Sequence, residues 1–215
     1  MVQFQSDEEP AMSILTPPRS PLKTPSPGGP RRKRFTVSEF HQLWNNGWFA
    51  DVKPILLDGE IIEMPIPNPP HAVAIGLTEK VLNSIFGAGY WVRVQHPLVM
   101  GLWTDPVPDL SVVTGSPRDY LNAHPSTALL VVEVADSSLS IDTDDKMQLY
   151  AAGGIPDYWV LDLNNRQLIV HRDPVTDATQ RHGFRYTTVQ ALDATAAANP
   201  MSVPQATVRV ADLLP

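Results

Sequence analysis

Two acids in this chain are set against apolar runs. In ALLVVEV, residues 128–134, five apolar residues precede Glu133, the pattern of a strand covered on both faces. A carboxylate at the end of such a strand is costly unless it is paired, protonated or bound to a cation. Asp109 opens a second apolar strand, DLSVV at 109–113, directly after Pro108. Side by side, these strands bring both acids to one sheet edge, where they repel and a divalent cation relieves the repulsion. Oxygen ligands of this kind suit magnesium or manganese, which keep several waters and accept phosphate oxygens. Lys146 is the third candidate. It follows on the next helix, from which its ammonium can return over the same edge to orient or deprotonate a water, or to stabilise charge developing on a phosphate. The chemistry implied is metal-assisted hydrolysis of a phosphodiester.

Each residue also has an ordinary reading. Asp109 can simply begin a strand, and Lys146 can be a solvated helical lysine paired with Asp142, four residues earlier. Glu133 resists such a reading, because charged residues are seldom fully buried without a partner.

Other chemistries find no support. The chain has no cysteine, which excludes disulfides, cysteine zinc sites and thiol nucleophiles. Its six histidines (41, 71, 96, 124, 171 and 182) show no zinc-binding spacing. There is no G-x-S-x-G elbow, phosphate loop or dinucleotide fingerprint, and FGAGY at 86–90 closes a helix instead of opening one. Tryptophans at 44, 48, 91, 103 and 159 are scattered, which suits core and loop packing better than a base-stacking platform.

The elements that must position the acids are legible in part. FTVSEFHQLWNNG holds a Thr36–Glu39 capping-box pattern, with Phe40, Leu43 and Trp44 on one helical face. ILLDGEIIEM is two apolar runs joined by Asp58-Gly59, a hairpin signal. Residues 71–86 place Val73, Leu77, Val81 and Ile85 at spacings of four, which predicts a helix ending at Gly87. Strands are expected at YWVRVQ, DLSVV and ALLVVEV. One helix is expected over IDTDDKMQLYAAGG, with Met147, Tyr150 and Ala151 on one face and Gly153-Gly154 as its stop. DYWVLDL and QLIVHRD read as a hairpin through Asn164-Asn165-Arg166, and FRYTTVQ as a further strand. Residues 191–206 read as a loop, and ADLLP as a short terminal turn. The order predicts an α/β fold, a mixed sheet flanked by helices.

Residues 1–34 contain seven prolines and few large apolar side chains. This predicts a disordered, basic tail ahead of a folded domain at 35–215. Its PRRKR run at 30–34 can meet nucleic acid or an acidic partner, or simply be a solvated linker end. With the tail set aside, 10 basic and 20 acidic residues remain, a net charge of about −10. A surface that acidic is a poor non-specific binder of phosphate backbone. No run of about 18 apolar residues exists to span a membrane, and no secretory signal is evident, so the expectation is a cytoplasmic protein.

The stretches RFTVSEFHQL, LLDGEIIEM, PPHAVA, VPDLSVV, LLVVEVADSSLSID and DDKMQLYAAGGIPDYWVLDL together resemble the Uma-type restriction endonuclease domain, a branch of the PD-(D/E)XK nucleases. The likeness runs from about residue 34 to the C-terminus. It implies a restriction-endonuclease-like α/β core, often a homodimer, with magnesium as cofactor and DNA as substrate. Asp109 matches the acid of the Pro-Asp half-motif, and Glu133 the second metal-binding acid. The EXK lysine position holds Ala135; in this branch the lysine is displaced onto the following helix, where Lys146 matches it. His71 matches a family histidine, while Ser137 and Ser138 are expected to shape a loop. One departure is Ile55, which stands where the family usually has a glutamate; Glu60 or Glu63 would have to compensate.

Three functions follow as expectations. The first is a metal-dependent DNA endonuclease using Asp109, Glu133 and Lys146. The second is a catalytically silent nuclease fold kept as a binding or regulatory module. The third is a metal hydrolase acting on a smaller phosphorylated substrate.

Overall fold

The capping box forms as expected. The Glu39 amide donates to the Thr36 hydroxyl at 3.2 Å, and the Thr36 amide donates to the Glu39 carboxylate at 2.9 Å. Together they start helix α1 (Val37–Asn45). The structure, a computed structural model, describes residues 31–50, 52–136 and 138–215. The tail expected to be disordered therefore lies, up to residue 30, outside the described residues, as does Ser137. Arg32–Pro215 form one compact unit. Lys33 and Arg34, read as the end of the tail, are tied to that unit: Lys33 pairs with Glu39, and Arg34 pairs with Asp58 and lies over the Trp103 ring.

Strands β1 (Lys53–Leu57) and β2 (Glu60–Met64) form the expected antiparallel hairpin. Asp58 and Gly59 both take positive φ, 48° and 78°, as a two-residue turn matched to strand twist requires. Helix α2 (Pro69–Ile85) follows, capped by Asn68. The helix is where it was expected, but its buried stripe is not. Ala74, Ile75, Thr78 and Leu82 are buried while Val73 is exposed. Positions four apart drift around a helix, so a stripe of fours does not settle which neighbouring row faces the core.

Six strands make the main sheet: β3 (Tyr90–Val94), β4 (Leu110–Thr114), β5 (Leu130–Ala135), β6 (Asp157–Asp162), β7 (Gln167–Thr176) and β8 (Phe184–Asp193). They lie side by side in that order, antiparallel except for the parallel pair β5–β6. A parallel pair needs a crossover, and this one is helical. It is broken in two, α3 (Leu139–Thr143) and α4 (Asp145–Ala152), where one helix was expected. The break falls at Asp144 (φ −121°, ψ −84°). There the buried Tyr158 hydroxyl donates to the Asp142 carbonyl at 2.8 Å, and an outside donor at a helix carbonyl interrupts the ladder. After β8 the chain adds two short paired strands, β9 (Ala197–Ala198) and β10 (Val208–Arg209), in and just after the stretch read as loop. A 3-10 turn at Val210–Asp212 follows.

Both faces of the sheet are covered. Leu110, Val112, Val132 and Trp159 pack with α2, whereas Val113, Val131, Ala135 and Tyr158 pack with Tyr150 and Ala151 of α4. This parity decides the site. Glu133 lies between Val131 and Ala135, and Asp109 is in step with Val113, so strand alternation sends both acids toward α4.

Candidate active site

Register brings the two acids together. β4 and β5 pair with Leu110 opposite Val132, which leaves Asp109 beside Glu133. The Asp109 amide donates to Glu133 Oε2 at 3.3 Å, and the Val134 amide donates to Asp109 Oδ2 at 2.9 Å. From α4, Lys146 places its ammonium 3.1 Å from Glu133 Oε1 and 2.9 Å from Asp142 Oδ1. Tyr150, one turn further along, donates its hydroxyl to Glu133 Oε1 at 2.7 Å. Glu133, Asp142 and Lys146 are 1%, 1% and 4% exposed. The pairing of Lys146 with Asp142 therefore exists, but not on a solvated lysine. Ser138, expected to shape its loop, donates to Asp142 Oδ2 at 2.5 Å. His71, at the start of α2, meets Asp109 Oδ1 through Nε2 at 3.2 Å.

The charges follow from this geometry. Burial pushes Glu133 up to about 8; Lys146 opposes the rise, while Asp142 and Asp109 add to it. Burial also disfavours the Lys146 ammonium, but Glu133, Asp142 and Asp109 outweigh that and hold its pKa above the ordinary lysine value. Burial works against the Asp109 carboxylate too. The His71 bond, the Val134 amide and Lys146 outweigh it and hold its pKa low. The bond to Asp109 in turn holds His71 above its usual value, against its burial. At neutral pH Lys146 is a cation. It offers charge and hydrogen bonds rather than a basic lone pair.

Asp109, Glu133 and Lys146 line one cleft of about 700 Å³. Its walls are α1, the β1–β2 hairpin, the start of α2 and the segment around Asp105 and Val107. Ile55 also lines it, 4% exposed and packed with Leu57 and Leu149. Neither Glu60 nor Glu63 is among the lining residues. Among the described residues, no group of three or more His, Asp and Glu side chains is arranged to hold a metal ion. The lining carboxylates are Asp105, Asp109, Glu133 and Asp136, of which Asp109 and Glu133 lie side by side.

Several partners were missed in the sequence. Asp142, Lys146 and Tyr150 stand four apart, and that stripe was the available signal for the Tyr150 bond. The second His–acid pair of the cleft, His41 Nε2 to Asp105 Oδ2 at 2.7 Å, spans 64 residues and left no local signal. The tryptophans also divide differently than expected. Trp159 is core, but Trp44 is 49% exposed on the rim of the cleft, because Phe40 and Phe49 already fill the contact of α1 with Leu56.

A family model described as Uma2, putative restriction endonuclease, matches residues 37–211. The crystal structure of a putative nuclease from Anabaena variabilis aligns with a TM-score of 0.64, over 83% of this chain and 97% of that one, at 18% sequence identity. No curated protein matches. Among the described residues, no helix is long and apolar enough to cross a membrane.

Proposed function

Because the chain belongs to the Uma2 family of putative restriction endonucleases, we propose that it is a metal-dependent endonuclease that hydrolyses phosphodiester bonds of DNA. Asp109 and Glu133 would hold magnesium or manganese, and Lys146 would act on the reacting phosphate. One observation carries this reading: two acids brought side by side by neighbouring strands, Asp109 and Glu133, line a single cleft with Lys146, whose buried ammonium pairs with Glu133.

The residues present fit the ion. Magnesium is commonly held by one or two carboxylates, with water and substrate phosphate completing its coordination, and the pair here supplies hard oxygen donors only. Bound there, the ion would lower the pKa of a coordinated water and offset charge on the phosphoryl oxygens. The chain's own groups do the rest. The Lys146 ammonium, a carrier of three N–H donors, stands 3.1 Å from Glu133 and 2.9 Å from Asp142, and would donate to a phosphoryl oxygen as its charge grows. The Val134 amide and His71 fix the orientation of Asp109. Tyr150 fixes that of Glu133.

Plasmid nicking in magnesium tests this. Wild type should nick, and EDTA should stop it. Asp109→Asn, which keeps the side chain's shape, should lower the rate roughly a hundredfold or more while the circular dichroism spectrum stays native. Undiminished cleavage by both Asp109→Asn and Lys146→Met would refute the assignment.

Ile55 favours a second reading, a silent module. It is apolar, buried and at the cleft, where the family likeness implies an acid. Calorimetry separates the two. Heat from magnesium binding that vanishes in Glu133→Gln supports the enzyme; no heat up to millimolar metal, with the fold intact, supports the module.

A further inference from the structure

We propose that the cleft receives an unpaired nucleotide, its base against Trp44 and Phe49 and its phosphodiester at Asp109, Glu133 and Lys146. The substrate is then single-stranded or splayed DNA instead of intact duplex. The inference rests on the nuclease reading and adds the form of nucleic acid that enters.

Three observations meet here. The first is an aromatic wall continuous with the acids. Phe40, Trp44 and Phe49 have ring centroids 5.7–6.4 Å apart, and all three line the cleft that holds Asp109 and Glu133. Trp44 leaves half its surface in solvent, a large ring without a partner on one side. Every base has a π-face to offer it, whatever the sequence.

The second is charge. Duplex binding draws its strength from many lysine and arginine contacts to phosphate. Of these residue types, only Lys53 and Lys146 line the cleft among the described residues, and Lys146 is engaged by acids. Apart from histidines, the other ionisable lining residues, Asp105, Asp109, Glu133 and Asp136, are acids. Binding here must come mainly from enclosed apolar contact, and a volume of about 700 Å³ is of the size that takes small organic groups.

The third is an orphaned acceptor. Asp105 lines the same cleft and is 3% exposed; its Oδ2 meets His41, and its Oδ1 has no hydrogen-bond partner. Buried polar atoms left so are uncommon. An unpaired base carries exocyclic N–H donors that a duplex spends on the complementary strand, and such a donor would satisfy Asp105.

The test reads binding without turnover. A labelled single-stranded DNA oligonucleotide, and the same sequence as duplex, are titrated with the protein at low salt in EDTA and followed by fluorescence anisotropy. The single strand should bind at least about tenfold more tightly. Trp44→Ala should weaken its binding about five- to 150-fold, the range for losing one stacked base. Trp44→Phe should retain most of it. Trp48→Ala, exposed but not lining the cleft, should change nothing. Equal or tighter duplex binding, indifference to Trp44→Ala, or no binding of either oligonucleotide overturns the proposal. Duplex cleavage in magnesium with no single-strand preference refutes it while the nuclease reading stands. Trp44-dependent single-strand binding without cleavage of any DNA supports it and removes the nuclease reading.

Discussion

Lys146→Met should lose nuclease activity roughly a hundred- to thousandfold, the scale of removing a preorganised donor, and should also melt on the order of 10 °C lower. The second effect distinguishes this lysine from one that acts on substrate alone. Its ammonium is the counter-ion of Glu133 and Asp142, both 1% exposed. Breaking a buried pair from one side typically costs about 3–5 kcal/mol, and about 2–4 °C accompanies each kcal/mol in a chain of this size. Glu133, raised to about 8, already holds its proton at neutral pH, so the charge the substitution strands is that of Asp142, which retains only the Ser138 hydroxyl. Adding Asp142→Asn to Lys146→Met removes that stranded charge, so the double variant should regain part of the melting temperature and none of the activity. Scanning fluorimetry beside the nicking assay reads both. An unchanged melting temperature in Lys146→Met would mean that the ammonium is not what makes the buried acids tolerable.

A second large effect lies in pH. Glu133→Gln should flatten a decline in stability that the wild type shows above neutrality. Burial raises the Glu133 pKa from the ordinary 4.5 to about 8, so over that interval the folded protein holds a proton that the unfolded chain releases. The resulting stability is fully present below about pH 4.5 and is gone above about 8, with a limiting slope of about 1.4 kcal/mol per pH unit. His171 opposes it in the acid half. Buried at 4% exposure, its pKa is pushed down to about 4, so its contribution is lost as pH falls from 6.5 toward 4. Between 4.5 and 6.5 the two offset each other. The visible fall should therefore come between about 6.5 and 8, where His71, held above its usual value by Asp109, adds to it. In EDTA the wild type should lose several degrees of melting temperature across that window, and Glu133→Gln should lose much less. Parallel profiles would show that Glu133 is already ionised in the fold.

Local chemistry was the part of the fold written plainly in the sequence. The Thr36–Glu39 box, the Asp58-Gly59 turn and the apolar strands around Glu133 each announce themselves within a few residues, and each appears in the structure. The proximity of Asp109 to Glu133 was legible for a related reason. Glu133 interrupts an otherwise apolar strand and Asp109 stands at the start of another, and relief at one sheet edge is the economical solution. What escaped depended on neighbours distant in sequence. The break at Asp144 comes from Tyr158, on the next strand. The rotated face of α2 is set by the sheet and the C-terminal residues it packs on. Trp44 stands on the rim while Phe40 and the partly buried Phe49 pack against Leu56 of another element. None of these has a local signature, since tertiary packing decides among rows and caps that local pattern leaves equivalent.

Where β4 and β5 reach the site, the ladder of carbonyls gives way to side chains: the amides of Asp109 and Val134 donate to the carboxylates of Glu133 and Asp109. Those two backbone protons are thereby wired to the two acids. Their NMR resonances register directly any proton, cation or phosphate that takes hold of either carboxylate, which gives the molecule two built-in probes at its centre that need no label on the substrate.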